Sequence, residues 1–355
     1  MEESSVQQPA APSQLSPHGW GDGGARPPFV RIAGWGKYLP RRVMSNAELE
    51  TLVETSDEWI RSRSGIGERR IAADDETTAT MGVAAAREAL AVAGWDAAAL
   101  DLIVLATSTP DHYAYPSSAC LVQAALGASR AGAFDLSAAC SGFVYALIVA
   151  AQMLQGGAYR RALVIGSDVN SRILDWRDRG TCVLFGDGAG AVALEATVAP
   201  GGLVASELGA DGHGAEYLIV PAGGSRQPAS HETVERREHF IRMNGAEVFR
   251  FSTLIVPAVL ERLCQQAGVA PADVDLLIPH QANSRILQSA ARRLALQEGA
   301  IFSNLEFYGN TSAGSVPIAL CEALAAGRIR PGQLLALVGF GAGLTWAGAL
   351  WRWHG

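Results

Sequence analysis

MGVAAAREALAVAGWDAAALDLIVLATS, Met81 to Ser108, reads as an amphipathic helix, an Ala-Gly stop, a short linker and a strand over Asp101–Ala106. LIVPAVLERLCQQAGVAPADVDLLIPHQAN, Leu254 to Asn283, repeats that order, with its strand over Asp275–Pro279. The likeness continues downstream of each. AGAFDLSAACSGFVYALIVA, Ala131 to Ala150, predicts a short buried strand, a turn of small residues and an apolar helix from Ser141 to Leu154. A glycine-rich turn, a strand over Arg161–Ser167 and FGDGAGAVALEA follow. After Asn310 come a helix over Ala313–Ala326, the turn GRIRPGQ, a strand over Leu334–Gly339 and GFGAGLTWAGALWRW. The order helix, strand, junction residue, helix, strand, glycine-rich turn, strand occurs twice. Such self-similarity predicts a duplicated α/β unit, with halves over residues 29–200 and 201–355.

The repeat has a chemical consequence. Cys140 falls at a strand-to-helix junction, where unpaired N–H groups and the helix dipole favour the reactive thiolate. Asn310 takes the same junction in the second half, and His280 sits just beyond the carboxyl end of its strand. Sites in open α/β sheets form outside the carboxyl ends of strands. Pseudo-twofold packing of the halves therefore brings Cys140, His280 and Asn310 to one pocket. Each residue alone has a plainer reading: a buried core cysteine, a structural histidine, a turn or cap asparagine. The three equivalent strand ends together favour the functional one.

Two glycine runs, Gly186–Gly190 and Gly339–Gly343, do not fit a dinucleotide loop, because neither opens a helix early in a βαβ unit. They read as tight turns. The second is expected to bring backbone close to a substrate, with the N–H of Gly341 or Ala342 joining that of Cys140 around an oxyanion.

The bulk numbers exclude several classes. A chain of 355 residues with 49% hydrophobic and 18% charged residues suits a compact enzyme. A net charge of −7 gives no general attraction to nucleic acid. Five scattered cysteines without CxxC spacing argue against a disulfide framework and a zinc site, and fit a reducing cytosol. The apolar run Phe143 to Leu154 is too short for a bilayer, and the N-terminus lacks signal-peptide order. Residues 1–28, rich in Pro, Gly, Ser and Gln, read as a flexible extension.

DLSAACSGF around Cys140, PHQANSRI around His280 and GNTSAGSVP around Asn310 resemble the active-site motifs of 3-oxoacyl-acyl carrier protein synthase III. TSDEWIRSRSGI, DRGTCVLFGDGAGA and GFGAGLTW resemble that family too, and the likeness runs from about Val30 to Trp353. The resemblance implies a thiolase-like fold, a layered αβαβα structure of two halves, and a homodimer. It implies a cofactor-independent condensation of a short acyl-CoA primer with malonyl-acyl carrier protein. It implies an acyl-Cys140 intermediate, with His280 and Asn310 holding the enolate. It implies no metal, no nucleic acid and no membrane, and a cytoplasmic setting.

The same resemblance carries further residues. Trp59 matches the tryptophan that stacks on the CoA adenine, and Arg63 and Arg179 the arginines that flank it. Thr55, Gly180, Gly245 and Asn283 complete the implied CoA surface. Gly67 departs from the family, many members of which carry a basic residue there, so that either a phosphate contact is missing or Arg69 or Arg70 replaces it. Tyr115 matches a residue that reaches across the dimer into the partner's acyl pocket. Arg250, Arg285, Arg292 and Arg293 match a docking face for the acidic carrier protein. Two other classes stand beside this reading: an acyltransferase or condensing enzyme of secondary metabolism on the same fold, and a non-catalytic carrier- or CoA-binding module.

Overall fold

The computed structural model describes residues 28–297 and 299–354. The extension expected over residues 1–28 lies outside them except for Pro28. Strand β1 (Phe29–Tyr38) leads to the ribbon β2 (Arg42–Ser45) and β3 (Glu68–Ile71), which brackets α1 (Asn46–Leu49) and α2 (Asp57–Ser64). Next come α3 (Thr78–Ala93), β4 (Leu102–Ala106), α4 (Ser118–Leu126), β5 (Gly132–Leu136), α5 (Gly142–Gln155), β6 (Arg161–Asp168) and β7 (Gly188–Thr197). The second half opens with β8 (Gly202–Ala210) and a ribbon, β9 (Leu218–Ile219) with β10 (Arg242–Met243), around α6 (His231–Glu235). It continues through α7 (Gly245–Ala267), β11 (Leu276–Pro279), α8 (Ser284–Arg293), α9 (Leu305–Tyr308), α10 (Ser315–Ala325), β12 (Leu334–Gly341) and β13 (Thr345–Arg352).

The two sheets have one plan. The first runs β1-β7-β6-β4-β5 and the second β8-β13-β12-β11. In each, two antiparallel pairs are followed by a parallel one. Where the first sheet adds β5, the second has only a parallel bridge between Leu277 and Ile301. The Ala-Gly stops are matched as well. Gly94 and Gly268 cap α3 and α7 in left-handed backbone, at φ 67° and 68°, which glycine adopts without a Cβ penalty.

Helices α5 and α10 lie between the sheets. Their buried side chains (Phe143, Leu147, Leu154, Val316, Leu320 among them) share one core with both sheets. A helix covered on both sides has to be apolar all round, as α5 is. Each large aliphatic or Phe side chain buried there contributes roughly 1.5–3 kcal/mol. Helices α3 and α4 cover the outer face of the first sheet, and α7 and α8 that of the second. The result is the five-layer αβαβα order of the thiolase-like fold.

One expectation is corrected. A single 3₁₀ turn precedes each central helix, Ala139–Ser141 before α5 and Ser312–Gly314 before α10. The first residue of each turn has a positive φ, 47° at Ala139 and 51° at Ser312. The counterpart of Cys140 is therefore Ala313, not Asn310. Asn310 lies just before the turn, because a parallel bridge to Phe185 holds it there.

Candidate active site

Cys140 lies within the 3₁₀ turn and is 5% exposed. The turn is tied to the loop after β12. Ser141 Oγ lies 2.8 Å from Thr345 Oγ1, and Thr345 Oγ1 lies within hydrogen-bond reach of the carbonyls of Ala138 (3.0 Å) and Ala342 (2.9 Å). Gly341 passes so close that a Cβ there would meet the Cys140 nitrogen at 2.9 Å, and one at Gly339 would meet Ser141 Cα at 2.7 Å. The second glycine run is thus a backbone-to-backbone approach, which sets Ala342 beside the cysteine.

Burial pushes the Cys140 thiol up to about 12, while the Ser312 hydroxyl acts in the opposite sense and the Asp168 charge adds to the rise. Desolvation here opposes the pull of the helix start toward the thiolate. Asp168 is fully buried and joins the halves. Its Oδ1 accepts from the Ser108 N–H (2.7 Å) and the hydroxyls of Thr107 and Thr109, and its Oδ2 from the Ala313 N–H (3.0 Å).

His280 follows β11 and is 1% exposed. Its N–H donates to the Val338 carbonyl (2.7 Å), its Nδ1 lies 2.6 Å from Ser315 Oγ, and its ring meets Phe340 edge-on. Burial lowers it to about 3, so it is neutral through the physiological range. Gln281 pins the segment, donating to the Pro279 carbonyl (2.7 Å) and accepting from Ser303 and Asn304.

Asn310 is clamped by the other half. Its N–H donates to the Leu184 carbonyl (2.8 Å), and its carbonyl accepts from Gly186 N–H (3.0 Å). A Cβ on Gly186 would meet the Tyr308 carbonyl at 2.4 Å, so the first glycine run lets this clamp close. The Asn310 Oδ1 accepts from the Ser312 N–H (2.8 Å), which leaves its NH₂ to face a ligand.

Cys140, His280 and Asn310 line one cavity of about 90 Å³, which reaches the exposed residues Gly245 and Phe249 and the cap residue Asn283. A second cavity of about 190 Å³ lies against Cys140, walled by Ile173, Phe185, Leu218, Val220 and Ile241. The thiol lines both. Sequence patterns do not single out these wall residues, because the ribbon that carries Leu218 and precedes β10 at Ile241 has strands too short for a periodic signal.

The other expected residues are placed as follows. Trp59 on α2 carries Arg179 over its ring, 5.0 Å from the centroid, and Arg179 donates to the Glu54 carbonyl. Asn283 donates to the Arg63 carbonyl (3.0 Å), so the α2 surface adjoins the first cavity. Thr55 has a buried hydroxyl without a partner among the described residues, and Gly180 is exposed in the Arg179 loop. Arg69 does not replace the basic residue lacking at Gly67. It is fully buried and donates to Asn46, Met44 and Val183. Arg70 instead donates to the Pro40 carbonyl and lies over the Tyr308 ring. The space a Gly67 Cβ would take holds Arg61, paired with Asp57 and Glu306. Arg285, Arg292 and Arg293 are exposed on α8, and Arg285 Nε donates to the Ser62 carbonyl (3.1 Å). Arg250 is exposed on α7 and paired with Glu247. Tyr115 is 86% exposed. Among the described residues, no group of three or more His, Cys, Asp or Glu side chains is placed to hold a metal ion.

Residues 134–212 match the family model for 3-oxoacyl-[acyl-carrier-protein] synthase III, and residues 264–353 match its C-terminal model. A beta-ketoacyl-[acyl-carrier-protein] synthase III of Caldanaerobacter subterraneus is 50% identical over 322 residues, covering 91% of this chain and 97% of the relative. The crystal structure of 3-oxoacyl-[acyl-carrier-protein] synthase III from Aquifex aeolicus is 44% identical with a TM-score of 0.84, covering 91% of this chain and 100% of that one. The priming beta-ketosynthase of the R1128 polyketide pathway is 38% identical with a TM-score of 0.85, covering 92% and 97%.

Proposed function

Since this chain belongs to the 3-oxoacyl-[acyl-carrier-protein] synthase III family, we propose a division of its condensing reaction among the residues around Cys140. The enzyme is an acyltransferase that condenses an acyl-CoA primer with malonyl-acyl carrier protein and so initiates fatty acid synthesis, without a cofactor. One observation above all supports the division of steps. The Cys140 thiol lines two cavities, one that also holds His280 and Asn310, the other lined by Ile173, Phe185, Leu218, Val220 and Ile241 together with Ser108, Asn170 and Ser312.

In the first half-reaction the Cys140 sulfur attacks the acyl-CoA carbonyl. The C–S bond to CoA breaks, and CoA leaves as the thiol with the proton that Cys140 gives up. The N–H groups of Cys140 and Ala342 hold the carbonyl oxygen as it becomes negative. The acyl chain then lies in the second cavity. In the second half-reaction malonyl-acyl carrier protein takes the first cavity and loses CO₂. The His280 ring N–H and the Asn310 NH₂ hold the enolate oxygen. The enolate carbon attacks the acyl-Cys140 carbonyl, a C–C bond forms, the C–S bond to Cys140 breaks, and the departing thiolate takes a proton from solvent to restore the thiol.

Adenine of the primer CoA enters between Trp59 and Arg179, which stack directly on each other here. Thr55, Arg63, Gly180, Gly245 and Asn283 line its approach. The carrier protein docks on the face of Arg250, Arg285, Arg292 and Arg293. A homodimer is supported by β5, an edge strand of the five-stranded sheet, and by the exposed Tyr115, which on this reading enters the partner's acyl cavity. Five unpaired cysteines support a reducing, cytoplasmic setting. Among the described residues, no helix is long and apolar enough to cross a membrane.

The test is intact-mass analysis after exposure to a panel of acyl-CoAs, with CO₂ release from malonyl-acyl carrier protein measured in parallel. A single acyl group on Cys140, largest for short primers, and CO₂ release are expected. A label on Cys120, Cys182, Cys264 or Cys321 sinks the assignment. Acylation without CO₂ release marks an acyltransferase instead.

A further inference from the structure

We propose that Ser315, the first residue of α10, is a positioning residue that fixes the tautomer of His280 and so decides which ring nitrogen faces the substrate. This rests on the reading that His280 donates a hydrogen bond to the enolate oxygen. Ser315 Oγ lies 2.6 Å from His280 Nδ1, and both residues are buried, at 2% and 1% exposure.

Pairing of every polar hydrogen decides between the tautomers. A hydroxyl has one proton to give and two lone pairs to fill. The Gln281 backbone N–H points at one lone pair of Ser315, 3.5 Å away. If Nδ1 carried the imidazole proton, it would fill the second lone pair. The serine proton would then have no acceptor among the described residues, although Ser315 and His280 are both buried. Buried polar hydrogens are rarely left so. If Nδ1 is bare, the serine gives it that proton, and every group in the chain Gln281 N–H, Ser315 O–H, His280 Nδ1 is paired. The ring proton then sits on Nε2, the nitrogen with no partner among the described residues, and His280 lines the cavity beside Cys140. A neutral imidazole with that tautomer is a donor toward the cavity; the other tautomer offers a lone pair there and repels an enolate. Fixing the tautomer through the far nitrogen needs no charged partner, so the ring stays neutral while keeping its donor in place.

The experiment reads the tautomer directly. Wild-type enzyme labelled with ¹⁵N-histidine is compared with His280→Gln to identify the His280 signals. The expected pattern is a bare Nδ1 and a protonated Nε2 that do not exchange. In Ser315→Ala the two signals average as both tautomers become populated. The kcat for CO₂ release from malonyl-acyl carrier protein is expected to fall about ten- to hundredfold, with its KM changed less than about threefold. Ser315→Cys, a weaker donor of similar shape, is expected to fall between. A wild-type Nδ1–H signal overturns the proposal, as does CO₂ release by Ser315→Ala at the wild-type rate. The tautomer measurement needs no variant of Ser315 and no turnover. A wild-type enzyme that releases no CO₂ therefore overturns the proposed function alone, while the nitrogen signals still decide the role of Ser315.

Discussion

The turn before α5 and the turn before α10 are the same device put to different use. Each is a 3₁₀ turn opened by a residue at positive φ, each starts a buried helix, and each is pinned by the opposite half. One carries a thiol. At the matching position the other carries Ala313, buried and bonded through its N–H to Asp168. The second turn contributes side chains from either side of that position instead: Asn310 before it, Ser312 at its first residue, Ser315 just after it. Duplication supplied two equivalent scaffolds, and chemistry then needed them unequal. A nucleophile and the donors that stabilise an enolate have to approach one substrate carbon from different sides. A symmetric pair of thiols would supply only weak donors.

The hardest test of that inequality is to move the thiol. Cys140→Ala is expected to lose condensation almost completely, and Cys140→Ala with Ala313→Cys is expected to recover none of it. Mass analysis after acyl-CoA exposure reads both. An acyl group on the relocated thiol of the double variant would show that the turns are interchangeable.

His280→Ala and Asn310→Ala are expected to retain acylation of Cys140 and to lose CO₂ release about a hundredfold to a thousandfold each. Single-turnover assays of each half-reaction check this. Wild-type CO₂ release from either variant removes that residue from the enolate site.

The basic face of α8 belongs to one half only. Arg285→Glu with Arg293→Glu is expected to weaken use of malonyl-acyl carrier protein about tenfold or more at low salt, and wild-type turnover is expected to slow as salt rises. Equal use by the variant at low salt moves the docking face elsewhere.

Acid stability separates the halves in another way. Burial holds His280 at about 3, whereas an unfolded histidine titrates near about 6.5. Between these values the unfolded chain binds a proton that the folded one does not. Stability therefore falls as pH drops through that window, by at most about 1.4 kcal/mol per unit from this group. His280→Gln is expected to flatten that slope in denaturant titrations between about pH 6 and pH 4. An unchanged slope assigns the acid loss to other groups.

The smallest effects are expected at the two positive-φ residues. Ala139→Gly removes a Cβ and little else, and is expected to change stability by no more than about 1 kcal/mol. Ser312→Gly relieves the same backbone but also deletes the hydroxyl beside Cys140. It is expected to slow acylation severalfold where Ala139→Gly does not, which rate measurements against pH would show.

The legible parts are those written in local patterns. Strand β4 (Leu102–Ala106) and the stretch Phe143–Ala151 of α5 show as apolar runs because each is covered on both faces. Cys140, His280 and Asn310 stand out because each sits in a short motif, DLSAACSGF, PHQANSRI and GNTSAGSVP. Less legible are residues whose meaning comes from across the molecule. Arg69 looks like a surface cation in GIGERR, yet it is buried and joins the Met44–Asn46 stretch to Val183. The wall of the second cavity comes from the Ile173 turn, the Phe185 loop and a two-residue ribbon, none of which has a period to detect.

The order of residues alone carries the duplicated α/β plan, the reactive residue types and the membership of the family, because hydrophobic period, caps and motifs are local properties of a chain. Packing is what makes Ala313, rather than Asn310, the counterpart of Cys140. Packing also leaves the thiol and the imidazole both neutral at rest, and sets the serine of α10 against His280. These features depend on how many atoms from distant segments exclude water from one point, and desolvation belongs to the packed interior, not to any single stretch of sequence.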